Sequence, residues 1–232
     1  MSVVIDTLSY MARLKKINNL IFEKVRPYLG KIILEAGCGN GNLTKILLNS
    51  SNVVAIDNDE DMLDKLRERF SGNINLTVIN QDLSVDKAKE LTSYNIDTIL
   101  CINSLEHIKE DEKVISNFHH ILADGYLVII VPAFNFLYTS LDRAAGHYRR
   151  YTYKNLSSKL EKNGFDVYAK KYVNFFGIFG WIINGHIFKR ERLSWRLLSL
   201  FNFMVPVFSF FEKLLGPPIG LSLLVVCRKK KA

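Results

Sequence analysis

The segment Glu35-Ala36-Gly37-Cys38-Gly39-Asn40-Gly41 follows directly on the apolar run Ile32-Ile33-Leu34. A buried strand that runs into three alternating glycines leaves few folds open. Glycine lacks a Cβ, so the chain can turn sharply and a ligand can come close to the backbone. The helix expected next offers N–H groups with no partner of their own. Strand, glycine loop and helix in this order is how an open α/β sheet builds a nucleotide crevice at the carboxyl ends of its strands. The third glycine arrives one residue earlier than in the dinucleotide fingerprint G-x-G-x-x-G, which seats a pyrophosphate on the helix N-terminus. Glu35 stands two residues before the first glycine, and a carboxylate there suits a cationic group better than a pyrophosphate.

Polar residues close the next apolar runs as well. Val53-Val54-Ala55-Ile56 ends at Asp57, roughly 20 positions after Glu35, the spacing of an acid that grips a ribose diol. The run from Ile74 to Ile79 leads into Asn80-Gln81-Asp82-Leu83, and that from Ile96 to Ile102 into Asn103-Ser104-Leu105-Glu106-His107. A fifth run, Tyr126 to Val131, is closed by Pro132. Continuous apolar runs imply strands buried on both faces, hence a parallel sheet with helices on either side. Asp59, Glu60 and Asp61 suit the positive end of a helix whose apolar side is Met62, Leu63, Leu66 and Phe70. Leu91 belongs to a short helix before the fourth strand. Val114, Phe118, Ile121 and Leu122 line another, expected to stop at Asp124-Gly125. Thr152 caps a helix carrying Leu156 and Leu160 and ending at Gly164. Phe165 to Tyr172 and Leu221 to Cys227 read as a sixth and a seventh strand. Leu14, Ile17, Ile21 and Val25 recur at helical spacing, so residues 1–30 form a helical cap. Tyr10 and Arg13 lie on its approach to the glycine loop.

The glycine loop with acids or amides at four successive strand ends resembles motifs I to IV of class I S-adenosylmethionine-dependent methyltransferases. The resemblance implies an α/β, Rossmann-like fold in a single domain, 1–232. Its seven-stranded, mostly parallel sheet has helices on both faces and an antiparallel last strand. The core is 31–174 and 221–232, and 175–220 is a hydrophobic helical insertion between strands 6 and 7. The implied cofactor is S-adenosyl-L-methionine. Glu35 would reach its amino acid moiety, Asp57 the ribose and Asp82 the adenine amino group, with Leu83 packed on the ring. Gly37, Cys38, Gly39, Gly41, Asn58, Met62, Asn103 and Tyr10 complete the expected cofactor-binding set.

After the fifth strand comes a stretch rich in polar and aromatic side chains, Leu141-Asp142-Arg143-Ala144-Ala145-Gly146-His147-Tyr148-Arg149-Arg150-Tyr151. Together with Gly216-Pro217-Pro218-Ile219-Gly220-Leu221-Ser222-Leu223, it resembles a bacterial and archaeal group of these methyltransferases. Its members are often encoded beside glycosyltransferases and other polyprenol-linked functions. This chain has Leu221 where relatives commonly have Gln. The group implies a small-molecule, sugar- or lipid-linked acceptor. An oxygen or nitrogen acceptor must lose a proton, and His147 is the expected base because imidazole titrates near neutrality. His107 is second, and Tyr148 completes the expected catalytic set. Asp142, Arg149, Arg150 and Tyr151 are the expected acceptor contacts, the arginines suiting a phosphate or carboxylate. The alternatives are a structural His147 bonded to Asp142, and an arginine that pins the loop by a salt bridge. Some methyltransferases acting on catechols or RNA ends hold a divalent ion through E-x-x-E-H. Here Asn103 replaces the first acid, and hard cations want more carboxylate oxygens than Glu106 offers. No metal is therefore expected.

The formal net charge of +8 fits nucleic acid, an anionic membrane or an anionic substrate. RNA methylation has the charge and the aromatic/basic mixture at 147–153 in its favour, but no RNA-binding module is recognisable, so nucleic acid is not the expected partner. The glycine spacing argues against a nicotinamide-dependent oxidoreductase. A non-catalytic, membrane-associated S-adenosylmethionine-binding protein is the remaining alternative. Cys38, Cys101 and Cys227 lie far apart without a CxxC pair, and the N-terminus shows no signal pattern. Both features suit a reducing cytoplasm, at the inner face of the membrane if the chain associates with one. In 175–220 the apolar run that begins with 175–181 is flanked or interrupted by Asn174, Asn184 and His186, and 197–211 contains Asn202 and Pro206 between Arg196 and Glu212, so neither is expected to be a spanning helix. Three roles compete: a lid over a hydrophobic substrate, docking on a membrane helped by Lys189, Arg190, Arg192 and Arg196, or a homodimer interface. The lid with membrane contact is the preferred one.

Overall fold

Apolar runs that each end at a polar residue lie side by side in the computed structural model, which describes residues 13–85 and 88–230. β1 (Ile32–Ala36), β2 (Asn52–Asp57), β3 (Leu76–Asn80), β4 (Thr98–Ile102) and β5 (Tyr126–Pro132) pair in parallel. β6 (Phe165–Val173) and β7 (Ser222–Lys229) complete the order β3-β2-β1-β4-β5-β7-β6. β7 is antiparallel to both of its neighbours. β6 therefore runs in the direction of β5, and its end lies at the same edge as the ends of β1 to β5. The connection from β6 to β7 emerges at that edge.

Side chains alternate between the two faces, as a pleated strand requires. Leu34, Ile99, Ile129 and Val225 face one core, and Ile33, Leu100, Val128 and Val226 the other. The first core is covered by α4 (Ala88–Leu91), α5 (Asp111–Ile121) and α7 (Tyr153–Lys162) through Leu91, Val114, Phe118, Leu156 and Leu160. The second is covered by α1 (Lys15–Val25), α2 (Thr44–Leu47) and α3 (Glu60–Arg69) through Val25, Leu47, Leu63 and Leu66. Each such buried Leu or Phe contributes about 1.5–3 kcal/mol. Asp59 caps α3 by accepting from the Met62 N–H, and Thr152 caps α7 by accepting from that of Asn155.

Several boundaries differ from the sequence expectation. The helix after the glycine loop is only the four-residue α2. β3 starts at Leu76, since Ile74 is almost wholly exposed, and as an edge strand it is half-buried. α5 ends before Asp124-Gly125 because Leu122 is already extended. The second helix of the insertion is longer than its apolar stretch. α6 (Ser140–Ala144) follows β5, and then α8 (Gly177–Ile182), a π-helical turn (Ile183–Ile187) and α9 (Trp195–Leu215) fill the β6–β7 connection. Ser194 caps α9 by accepting from Leu197, and Gly216 ends it in the left-handed conformation. Arg13 lies over the Trp195 ring at 5.8 Å, on this insertion rather than on the glycine loop. Tyr10 is outside the described residues.

Candidate active site

The glycine loop is held from two sides. The N–H groups of Gly37 and Cys38 donate to Ile56 O of β2 at 2.9 and 3.0 Å. Gly37 has φ +79°, and a Cβ there would fall 2.2 Å from Ser104 Oγ. Gly41 has φ +77°, and its Cβ would fall 2.2 Å from Leu66 Cδ1 of α3. Only glycine meets both demands. Asp57 ends β2 with Oδ2 accepting from the Gly39 N–H at 2.8 Å and Oδ1 accepting from those of Asn58 and Asp59 at 2.9 and 3.2 Å. A cavity of about 300 Å³ opens above these strand ends. Gly37, Gly39, Asp57, Asn58, Met62, Asp82, Leu83, Asn103 and His107 line it. Sequence reasoning passed over Gln81, Ser104 and Ile108, which also line it. Gln81 and Ser104 stand within the strand-end segments 80–83 and 103–107, and Ile108 directly follows the second, so proximity to Asp82 and Asn103 was their only signal.

This cradle fits the nucleoside part of the expected cofactor. Its lining combines the carboxylates of Asp57 and Asp82 with the buried apolar Met62 and Leu83. Asp82 Oδ1 accepts from the N–H and hydroxyl of Ser84 at 2.8 and 2.7 Å, leaving Oδ2 for an amine. Asp57 has three of a carboxylate's roughly four acceptor sites filled. One ribose hydroxyl fits directly, and a second would displace the long Asp59 bond. Glu35, Cys38 and Gly41 do not line the cavity. Glu35 lies under the loop, with Oε2 accepting from the Thr44 hydroxyl at 2.5 Å. Burial, opposed by that bond, pushes its carboxyl up to about 8.

Beside the cavity, the stretch after β5 is organised by Asp142. As the third residue of α6 it closes a capping box with the N-cap Thr139. The wholly buried carboxylate accepts from the Thr139 N–H at 2.8 Å, Arg150 Nε at 2.8 Å and Trp181 Nε1 at 3.2 Å. His147 Nδ1 lies 3.0 Å from its Oδ1. Burial would raise the Asp142 pKa, but the bonds to His147 and Arg150 outweigh it and hold the carboxyl below its ordinary value. Since the carboxylate only accepts, Nδ1 is the donor and the Nε2 lone pair of His147 is available. Nε2 points toward Glu106, 4.0 Å from Oε1. Glu106 is fully buried, and among the described residues neither of its carboxyl oxygens has a hydrogen-bond partner. Burial pushes its carboxyl up to about 8 against the pull of Arg150. The His107 ring stands edge-on to that of His147 at 4.6 Å. Although His107 has surface at the cavity mouth, loss of water around the ring, and then His147, lower it to about 4. Glu106, His107 and His147 bring ligand-capable atoms within 4.8 Å of one another. His147 comes from a distant loop, so the spacing that argued against a metal did not count it. Two imidazoles and one carboxylate are a donor set for a transition ion, not for a hard cation.

The residues expected to contact an acceptor are instead mostly committed to the protein. Arg150 is buried between Asp142, the Ala133 carbonyl and the Trp181 ring. Arg149 pairs with Asp111 at 2.9 Å and donates to Lys109 O. Tyr151 is buried and donates to Asp111 Oδ2 at 2.9 Å. These bonds pin the loop to α5 and β5 and thereby place His147. Tyr148 is exposed. An aromatic shelf missed by sequence reasoning lies beside them. Phe134 stacks on Tyr172 at 4.9 Å and touches Phe136, whose ring is exposed. Phe134 has φ +61°, an outlier for a bulky residue, at the point where β5 turns into the loop.

Residues 34–127 match the family model described as a methyltransferase domain. The chain is 41% identical over 54 residues to a ribosomal RNA small subunit methyltransferase, chloroplastic, of Arabidopsis thaliana, covering 23% of this chain and 16% of that one. It is 26% identical over 109 residues to a ubiquinone biosynthesis O-methyltransferase of Vibrio cholerae, covering 46% and 44%. The chain thus spans less than half the length of either relative. Its structure is similar to that of magnesium protoporphyrin IX methyltransferase of Synechocystis PCC 6803 with bound SAH, with a TM-score of 0.57 at 14% identity over 96% of this chain and 84% of that one. The fold is that of class I methyltransferases.

Proposed function

We propose that this chain transfers a methyl group from S-adenosylmethionine to a small-molecule, sugar- or lipid-linked acceptor that must give up a proton. The observation that carries this reading is the Asp142-oriented His147 beside the mouth of the cofactor cavity, with His107 in both the cavity wall and the histidine pair. The cofactor supplies an electrophilic methyl on a sulfonium. Asp57 and Asp82 hold its nucleoside, and the glycine loop lets the backbone approach it. His147 Nε2 accepts the proton that the acceptor oxygen or nitrogen loses, and Asp142 stabilises the imidazolium. The shelf of Phe134, Phe136 and Tyr172 excludes water from the acceptor side. Holding the reacting groups together accounts for up to roughly 7–11 kcal/mol of such a barrier.

The test is calorimetric titration with S-adenosylhomocysteine, with NADH as the control ligand. Binding of the first alone supports the reading, and no binding of the first would remove it. Asp57→Ala should weaken that binding at least about tenfold, because a charge-assisted bond contributes roughly 1.5–3 kcal/mol. Unchanged affinity would take Asp57 out of the site. A second reading, RNA methylation, has the match to a ribosomal RNA methyltransferase in its favour. It requires RNA binding that falls steeply with salt. The name of the Vibrio relative, an O-methyltransferase of ubiquinone biosynthesis, favours the small or lipid-linked acceptor. The three described cysteines are free and buried, which suits work in a reducing compartment.

A further inference from the structure

We propose that the outer face of α9, with the basic turn that precedes it, docks this protein on an anionic phospholipid bilayer. α9 is apolar all round but is covered on one side only. Its inner side is fastened to the domain along its length. Asn202 Oδ1 accepts from the Lys16 and Ile17 N–H groups of α1, Phe208 stacks on Phe176 at 4.7 Å, and Glu212 accepts from the Phe175 N–H at 2.7 Å. On the outer side Leu200, Phe203, Val207, Phe210 and Leu214 follow one another at intervals of three and four residues. They form a single stripe, and each is 46–70% exposed. A helix that buries one face and leaves a second apolar face bare lacks a partner for the second.

The chemistry around the stripe identifies that partner. Ile183, Ile187 and Phe188 continue the apolar surface, and all are exposed. Lys189, Arg190, Arg192 and Arg196 adjoin it, with Glu191 as the only acid between them. An open groove of about 410 Å³ joins the two characters, lined by Ile183, Phe188, Arg190, Ser194, Arg196 and Leu200. Apolar side chains rimmed by cations match the boundary between acyl chains and anionic headgroups. If two copies paired stripe to stripe, the basic turns would find only Glu191 and Glu212 as acids near the stripe among the described residues, and Glu212 is engaged by the Phe175 N–H. With 21 residues, α9 is long and apolar enough to cross a bilayer by length and composition. Its fastened inner side instead keeps it in the plane of the interface.

The topology gives this surface a consequence for the site. The β6–β7 connection leaves the sheet at the cofactor edge, and the Ser140 hydroxyl donates to Arg190 O at 2.5 Å, with Gly185 O also within 3.1 Å of Oγ. The bilayer face is thereby anchored to the loop that carries Asp142 and His147, where a lipid-linked acceptor would arrive.

The experiment is co-sedimentation of the full chain with vesicles of phosphatidylcholine alone and of phosphatidylcholine mixed with phosphatidylglycerol. We expect pelleting with the mixed vesicles that falls as salt is added, and a loss of roughly tenfold or more in Phe210→Ser/Leu214→Ser. Both side chains are exposed, so that variant should bind S-adenosylhomocysteine as the parent does. No pelleting, pelleting indifferent to the double substitution, or a stripe-dependent dimer by light scattering without vesicle binding would each overturn the proposal. Vesicle binding and cofactor titration are separate readouts, so failure of one leaves the other standing.

Discussion

Glu106 titrates over a window that follows from its burial. In the unfolded chain its carboxyl has its ordinary value of 4.5, and in the folded protein about 8. Between these values the folded state binds the extra proton, so stability is fully present at low pH and declines as pH rises through the folded value. The slope is at most about 1.4 kcal/mol per pH unit for one group. Glu35 acts in the same direction over the same window. His107, lowered to about 4, acts in the opposite direction, but only below its ordinary 6.5. Urea unfolding between about pH 7 and 8, clear of most of the His107 titration, therefore reads mainly the two carboxyls. Glu106→Gln should roughly halve the fall in stability across that range, leaving the part due to Glu35. An unchanged slope would mean that Glu106 is ionised in the fold. For His147→Gln the expectation is a turnover loss of about 10²-fold or more with S-adenosylhomocysteine affinity retained, as for the loss of a general base. Equal loss of both would make His147 a structural member of the Asp142 cluster.

The elements differ in how far they could be read from the chain. β1, β2, β4 and β5 and their terminal polar residues were legible because apolar runs and punctuating residues are local. Thr152 and Asp59 announced their helices for the same reason. That an arginine pins the loop was legible as an alternative, but the partners of Arg149, Arg150 and Tyr151 were not, since Asp111 and Asp142 are chosen by tertiary contact. The outward stripe of α9 also escaped reading, because an all-round apolar helix does not reveal which side the domain covers. A clear instance is α1, whose own N-cap position, Leu14, offers no side-chain bond. Asn202 of α9 takes that place by accepting from Lys16 and Ile17. Removing a cap costs about 1 kcal/mol, so Asn202→Ala should lower stability by about that amount and speed amide exchange in α1 and α9 alone. Exchange unchanged in α1 would show that the remote cap is not used.

At the scale of the molecule, the insertion leaves the sheet from the end of one closed strand pair. β6 and β7 remain paired up to Val173 and Ser222, and the Leu221 N–H donates to Asn174 O at 3.1 Å. The two strands thus already meet as a closed hairpin, and 175–220 is an excursion from its tip. A two-residue Asn-Gly turn can span such an opening. None of the residues lining the cofactor cavity belongs to the excursion. What it does supply is the Trp181 bond to Asp142, the contacts of Gly185 and Arg190 with Ser140, and the Asn202 cap. Replacing 175–220 by that turn should leave far-UV circular dichroism consistent with an intact sheet and cofactor affinity unchanged. Thermal stability should fall, and vesicle binding should vanish. If the shortened chain folds but no longer binds S-adenosylhomocysteine, the insertion helps to build the cavity, and the separation between a cofactor-binding sheet and a surface-docking excursion does not hold.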